Sequence, residues 1–187
     1  MKFTEEKIAA LKAMNTKVME TFNSLSADEM DIKPSEKSWS MNECLDHLIR
    51  TNSSYFDCLD AISKGNYHAS AWSKIPLLPG FFGKMILGVV SPDAKKNTRT
   101  FKIWNPSKSK YGTNLTSEMI LSNNVLIEKI KALPESELDR IITSPAGNLV
   151  NYSLKMALEI TTTHQIRHYN QAVRVKQESA LKNLNPN

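Results

Sequence analysis

Glycine and proline are scarce in this chain: six and eight residues among 187, gathered mainly between residues 65 and 112. That scarcity excludes low-complexity tracts and leaves long helices joined by one irregular stretch. Two cysteines, Cys44 and Cys58, make neither a zinc-finger spacing nor a disulfide framework. On one helix they stand about 21 Å apart, too far to bridge, so they read as small core residues. The first residues, MKFTEEKIAALKAM, lack the apolar run and small-residue cleavage site of a secretory signal. The most apolar window, Ile75 to Val90, is broken by Pro76, Pro79, Gly80, Gly83, Lys84 and Gly88, so no membrane span is expected. A cytoplasmic location is the expectation that remains.

Acidic residues are nearly missing from one stretch. Between Lys84 and Lys110 stand Lys84, Lys95, Lys96, Arg99, Lys102, Lys108 and Lys110 against Asp93 alone. Such a run suits an anionic small molecule, a membrane surface or nucleic acid, and equally a solvated loop. No RNA-binding signature or recognition-helix motif accompanies it, so no nucleic-acid partner is expected. No nucleophile–base signature and no phosphate-binding glycine loop occur, which argues against serine hydrolases and kinases.

What is present is 41% hydrophobic and 23% charged sequence, enough for a sizeable core. One domain over residues 1–187 is expected. A first helix should run from Glu5 to Leu25 with Thr4 as cap, its apolar stripe formed by Ile8, Leu11, Val18, Phe22 and Leu25, with Asn15 filling a gap. A second starts at the capping box Ser40-Met41-Asn42-Glu43 and stops at Gly65. Residues 66–115 are too many for a plain loop and read as a crossover holding a short helix over Phe81 to Val90. A third helix runs from Thr116 to before Pro134, with Ile120, Leu121, Ile127, Ile130 and Leu133 as its apolar positions. Residues 135–152 read as a connection. The last helix runs from Leu154 to Gln177, followed by a frayed tail.

Four histidines occur. His164 and His168 stand one turn apart on the last helix, in register with Leu154, Ala157 and Val175, so both imidazoles face inward and can chelate one ion. Two buried rings need partners, since an unsatisfied polar group costs about 1–3 kcal/mol, and a metal would satisfy both. His47 supplies a third ligand. It lies about 10 Å from the start of its helix, and His168 about 13 Å from the end of the last one. Antiparallel helices bring them level. That pairing makes the second and third helices parallel, which needs a connection about 35 Å long. The crossover supplies it, giving an all-α four-helix bundle in up-down-down-up order. His68, beyond Gly65, lies outside this set, and Cys44, one turn before His47, reads mainly as core.

Ser38-Trp39-Ser40, His47-Leu48, the segment FKIWNP from Phe101 to Pro106, Gly147, and His164-x3-His168 with Gln171 together resemble the DinB-like (YfiT-like) superfamily. The resemblance implies a three-histidine metal site at His47, His164 and His168, the same helix order, and frequent homodimers. Characterised relatives include thiol-dependent S-transferases, which join a small thiol such as bacillithiol to an electrophile, and thiol-dependent isomerases.

Three neutral imidazoles leave coordination positions open, as catalytic sites do. All-nitrogen ligation suits Zn, Ni, Fe or Co without choosing among them. Trp39, Trp104 and Tyr111 are the expected walls of the site, with Lys102, Lys108 and Lys110 as cations for a small, anionic or thiol-bearing substrate. The working expectation is a metal-dependent transferase acting on a low-molecular-weight thiol and a small electrophile. Its rivals are a non-catalytic metal-binding stress-response module, a metal-dependent hydrolase, and a metal-free bundle whose histidines bond to one another and to water.

Overall fold

The structure is a computed structural model that describes residues 2–74, 78–92 and 100–184. Its helices are α1 (Phe3–Phe22), a short α2 (Ala27–Asp31), α3 (Met41–Ser63), α4 (Leu78–Val90), α5 (Thr116–Lys131) and α6 (Leu154–Leu184). The four long helices α1, α3, α5 and α6 form the bundle, and α4 lies in the crossover. No helix among the described residues is long and apolar enough to cross a membrane.

Bonds between helices fix their directions. Asn42 Oδ1 accepts from the Leu115 N–H at 3.1 Å, and Lys129 pairs with Asp60 at 2.6 Å, so α3 and α5 run parallel. Asn15 bonds Asn124 at 3.0 Å while Asn114 donates to the Phe22 carbonyl at 2.8 Å, so α1 and α5 are antiparallel. Tyr55 and Tyr152 meet through their hydroxyls at 2.6 Å, and His47 meets His164 further along, so α3 and α6 are antiparallel. Lys7 pairs with Glu159 and Thr21 with Tyr169, so α1 and α6 are parallel. The order is up-down-down-up, with the long crossover between α3 and α5, as the sequence leads one to expect.

Several boundaries move, each for a local reason. α1 begins at Phe3, because the Glu5 carboxylate accepts from the Lys2 N–H at 3.0 Å. Thr4 is therefore not its cap and bonds Glu135 instead. It ends at Phe22 rather than Leu25, since Ser26 caps α2 in a second capping box. The Ser40 box holds: Ser40 Oγ accepts from the Glu43 N–H at 3.1 Å, and Glu43 accepts from the Ser40 N–H at 2.7 Å. Gly65 ends α3 with φ +71, where its N–H reaches Ile62 O and Asn66 N–H reaches Ala61 O. Of the apolar positions expected on α5, Leu121 is 64% exposed, while Met119 is in the core. The connection after α5 holds a hairpin, β1 (Ile141–Thr143) against β2 (Asn151–Ser153). α6 continues to Leu184, past the expected end at Gln177. The tail beyond 184 lies outside the described residues, as do Ile75, Pro76, Asp93, Lys95, Lys96 and Arg99 of the apolar and basic segments.

The crossover is tied down at both ends. Helix α4 packs on β2 and α6, where Gly83 sits so close that a Cβ there would lie 2.8 Å from Met156 Cγ. At the far end Asp31 accepts from the N–H groups of Tyr111 and Gly112, each at 2.8 Å.

The core has two apolar halves. One gathers Leu11, Tyr55, Leu59, Ile130 and Tyr152; the other gathers Val18, Phe22, Leu45, Leu48, Met119 and Ala172. A polar layer lies between them in sequence on all four helices. Asn123 Oδ1 accepts from Asn52 at 2.9 Å and from Gln165 at 2.7 Å, and its Nδ2 reaches Asn15 at 2.8 Å. Asn15 is thus the α1 member of a network, not a gap in a stripe. Asn123→Ala leaves these buried groups unpaired and is expected to destabilise the protein by about 2 kcal/mol, read as a lowered urea midpoint at unchanged slope.

Candidate metal centre

Helix periodicity brings the histidines together. His47 stands on α3 two turns after the Ser40 cap, and His164 and His168 stand one turn apart on the facing side of α6. All three are buried, His47 at 1%, His164 at 8% and His168 at 7% exposure. One nitrogen from each lies within 4.8 Å of the other two, and among the described residues these are the side chains placed to share a metal ion. Ring centroids are 4.8 Å apart for His47 and His164, 4.4 Å for His47 and His168, and 4.5 Å for His164 and His168.

The separation of one donor pair suits an ion. A tetrahedral ion with bonds of about 2.05 Å sets its nitrogens about 3.3 Å apart; His47 Nε2 and His164 Nε2 are 3.1 Å apart. His47 Nδ1 lies 2.6 Å from the Trp104 carbonyl oxygen. A carbonyl only accepts, so Nδ1 carries the proton and the Nε2 lone pair faces His164. His168 Nδ1 is buried with no hydrogen bond of ordinary geometry, and the Gln171 side chain is the ring's polar neighbour. Leaving a buried ring nitrogen so exposes the fold to a cost of about 1–3 kcal/mol, which ligation through that nitrogen would offset.

Burial also holds all three rings neutral. It pushes His47 from 6.5 down to about 4, against an opposing pull from the Trp104 carbonyl. Burial carries His164 and His168 well below 6.5, helped by each ring's histidine neighbours and by the Arg167 charge. Neutral imidazoles are the form that ligates.

Of the expected walls, two touch the centre. Trp39 stacks on His168 with centroids 5.6 Å apart and leans over His47 at 5.0 Å. Trp104 gives its main-chain carbonyl. Tyr111 packs instead beside the apolar core, and Lys102, Lys108 and Lys110 are exposed, Lys110 lying 3.7 Å from Asp28. Gly147 sits in the loop of the β1–β2 hairpin. Cys44 is fully buried in the core, where burial pushes its thiol pKa up. His68 is exposed in a groove of about 500 Å³ with Cys58, Tyr67 and Thr143, apart from the triad. The sequence did not reveal Arg50, Ser54 or the Trp104 carbonyl, since a backbone acceptor leaves no mark in a sequence and its α3 partners are ordinary polar residues.

Such a site, three neutral buried imidazoles on two antiparallel helices of an up-down-down-up bundle, could hold a metal ion. Residues 10–172 match the model of the DinB superfamily, and the chain belongs to that superfamily. Its fold is similar to that of the conserved protein of locus from Enterococcus faecalis, at 16% identity and TM-score 0.63, covering 97% of this chain and 99% of that one. It is also similar to YfiT from Bacillus subtilis, described as a probable metal-dependent hydrolase with an unusual four-helix bundle topology. That match has 12% identity and TM-score 0.58, covering 93% and 86% of the two chains. No curated protein matches the chain.

Proposed function

We propose that His47, His164 and His168 hold one divalent metal ion and that the protein is a metal-dependent transferase, joining a low-molecular-weight thiol to a small electrophile. The observation that carries the reading is the meeting of three buried neutral imidazoles whose donor atoms lie within 4.8 Å of one another. Zn, Ni, Fe and Co all suit this donor set. When bound there, a divalent ion lowers the pKa of a coordinated thiol or water.

The surroundings favour a thiol over water. Three neutral ligands leave the cation's charge uncompensated. Among the described residues no carboxylate joins the three histidines as a ligand; the nearby Asp46 carboxylate accepts from the Ser107 N–H at 2.6 Å. A free thiol ionises near pH 8.5, far more readily than water, and needs less help. The chain's own part is to hold the ligands neutral and, through Trp39 and the aliphatic core, to keep the centre dry. In the reaction the thiol S–H bond breaks, a sulfur–carbon bond forms, and the leaving group departs with the proton.

The test uses tag-free, metal-loaded protein with a small thiol and chlorodinitrobenzene, followed by thioether formation. Turnover is expected to need both thiol and metal and to disappear in His47→Ala. Hydrolysis of ester or amide substrates without any thiol would move the reading to a hydrolase, as the description of YfiT suggests. Inertness of the fully loaded protein toward both panels would leave a metal-binding module without chemistry.

A further inference from the structure

Of the three rings, His47 is held at its outer nitrogen by the main chain, through the Trp104 carbonyl at 2.6 Å. Which nitrogen of an imidazole ligates is decided by the bond the other makes. A loop carbonyl can do this only if the loop is fixed, and here it is fixed by α3 itself. Trp104 Nε1–H donates to Ser54 Oγ at 2.9 Å. Arg50 Nη2 donates to the Ile103 carbonyl at 3.0 Å. Ser54 Oγ is in turn oriented by donating to the Thr51 carbonyl at 2.7 Å, and Thr51 Oγ1 donates to the His47 carbonyl at 2.8 Å. His47, Arg50 and Ser54 follow one another at i, i+3 and i+7, which is one face of a helix. That face grips the single turn Lys102–Trp104 at the end of the crossover.

We propose that Ser54, Arg50 and Trp104 are positioning residues for the metal centre, docking the last turn of the crossover so that the Trp104 carbonyl fixes the Nδ1–H form of His47 and aims Nε2 at the ion. The inference rests on the reading of the triad as a metal site. It makes docking of the crossover and loading of the site two sides of one equilibrium. An ion at Nε2 makes Nδ1–H a stronger donor and tightens the turn, and a loosened turn weakens the ion by the same factor.

Trp104→Phe keeps an aromatic ring and removes the indole N–H; Ser54→Ala removes its acceptor; Ser54→Thr returns a hydroxyl. Zn affinity is measured on tag-free protein by competition with a chromogenic chelator, beside the visible spectrum of the Co-loaded form and the Tm of the metal-free form. Outer-shell partners typically govern metal affinity by about 10–100-fold. Trp104→Phe and Ser54→Ala are each expected to weaken Zn by about 10-fold and to shift the Co bands. The double variant should lose no more than either alone, because the two changes break one bond. Ser54→Thr should restore affinity, and the Tm of the metal-free protein should stay near wild type in all. Zn affinity within twofold of wild type in both single variants overturns the inference and leaves the metal reading standing. So does a loss matched by a collapse of the metal-free Tm. A wild type that takes up no Zn overturns both.

Discussion

His164→Leu is expected to lower divalent-metal affinity by more than about 100-fold, above the range that loss of an outer-shell partner alone produces, and at the same time to lower the stability of the metal-free protein by about 1–3 kcal/mol. The two effects have one cause. His164 is buried against His47, with Nε2 to Nε2 at 3.1 Å. Without an ion one proton lies between those nitrogens and makes the bond that each ring's Nε2 relies on. Leu in place of the ring removes a ligand and leaves the buried His47 Nε2 without its partner, which costs about 1–3 kcal/mol. Chelator competition reads the first effect and urea unfolding of the stripped protein the second. A variant that binds metal as the wild type does would mark the histidines as structural.

Acid is expected to unfold the metal-free protein through the same rings. In the unfolded chain each imidazole titrates near pH 6.5. In the fold, burial lowers all three, His47 to about 4 and the other two well below 6.5. Above pH 6.5 both states carry neutral rings and stability does not depend on them. Below it the unfolded chain binds protons that the fold refuses, so stability falls as pH falls, by up to about 1.4 kcal/mol per pH unit for each ring. The His47 share is complete near pH 4, where the folded ring also titrates. Urea unfolding at intervals from pH 7.5 to 4.5 should therefore be flat above 6.5 and steep below. His164→Leu should reduce the slope by one ring. A wild-type profile that stays flat to pH 4.5 would mean the rings are not held neutral by burial.

The features legible in the sequence were those written in side chains at helical spacing. The Ser40–Glu43 box marks the start of α3 to the residue, and the spacing of His164 and His168 with the apolar register of α6 puts both rings inward. Levelling His47 against His168 then requires α3 and α5 to be parallel, which is their arrangement. Less legible were features held by backbone groups or by partners far along the chain. The β1–β2 hairpin has strands of three residues each, too short for an alternating pattern to register. Asn15 looks like a flaw in an apolar stripe until Asn123 is known to face it. Glu5 shifts the start of α1 through a carboxylate that reads equally well as dipole compensation. The Trp104 carbonyl, which sets the orientation of His47, has no residue-type signature at all.

The most direct test of the metal centre is the metal content of tag-free protein, loaded with Zn and desalted, with His47→Ala treated alongside. The account predicts about one equivalent in the wild type and almost none in the variant, as one ion shared by three rings requires. Equal loading of the two proteins, or none in either, would contradict it.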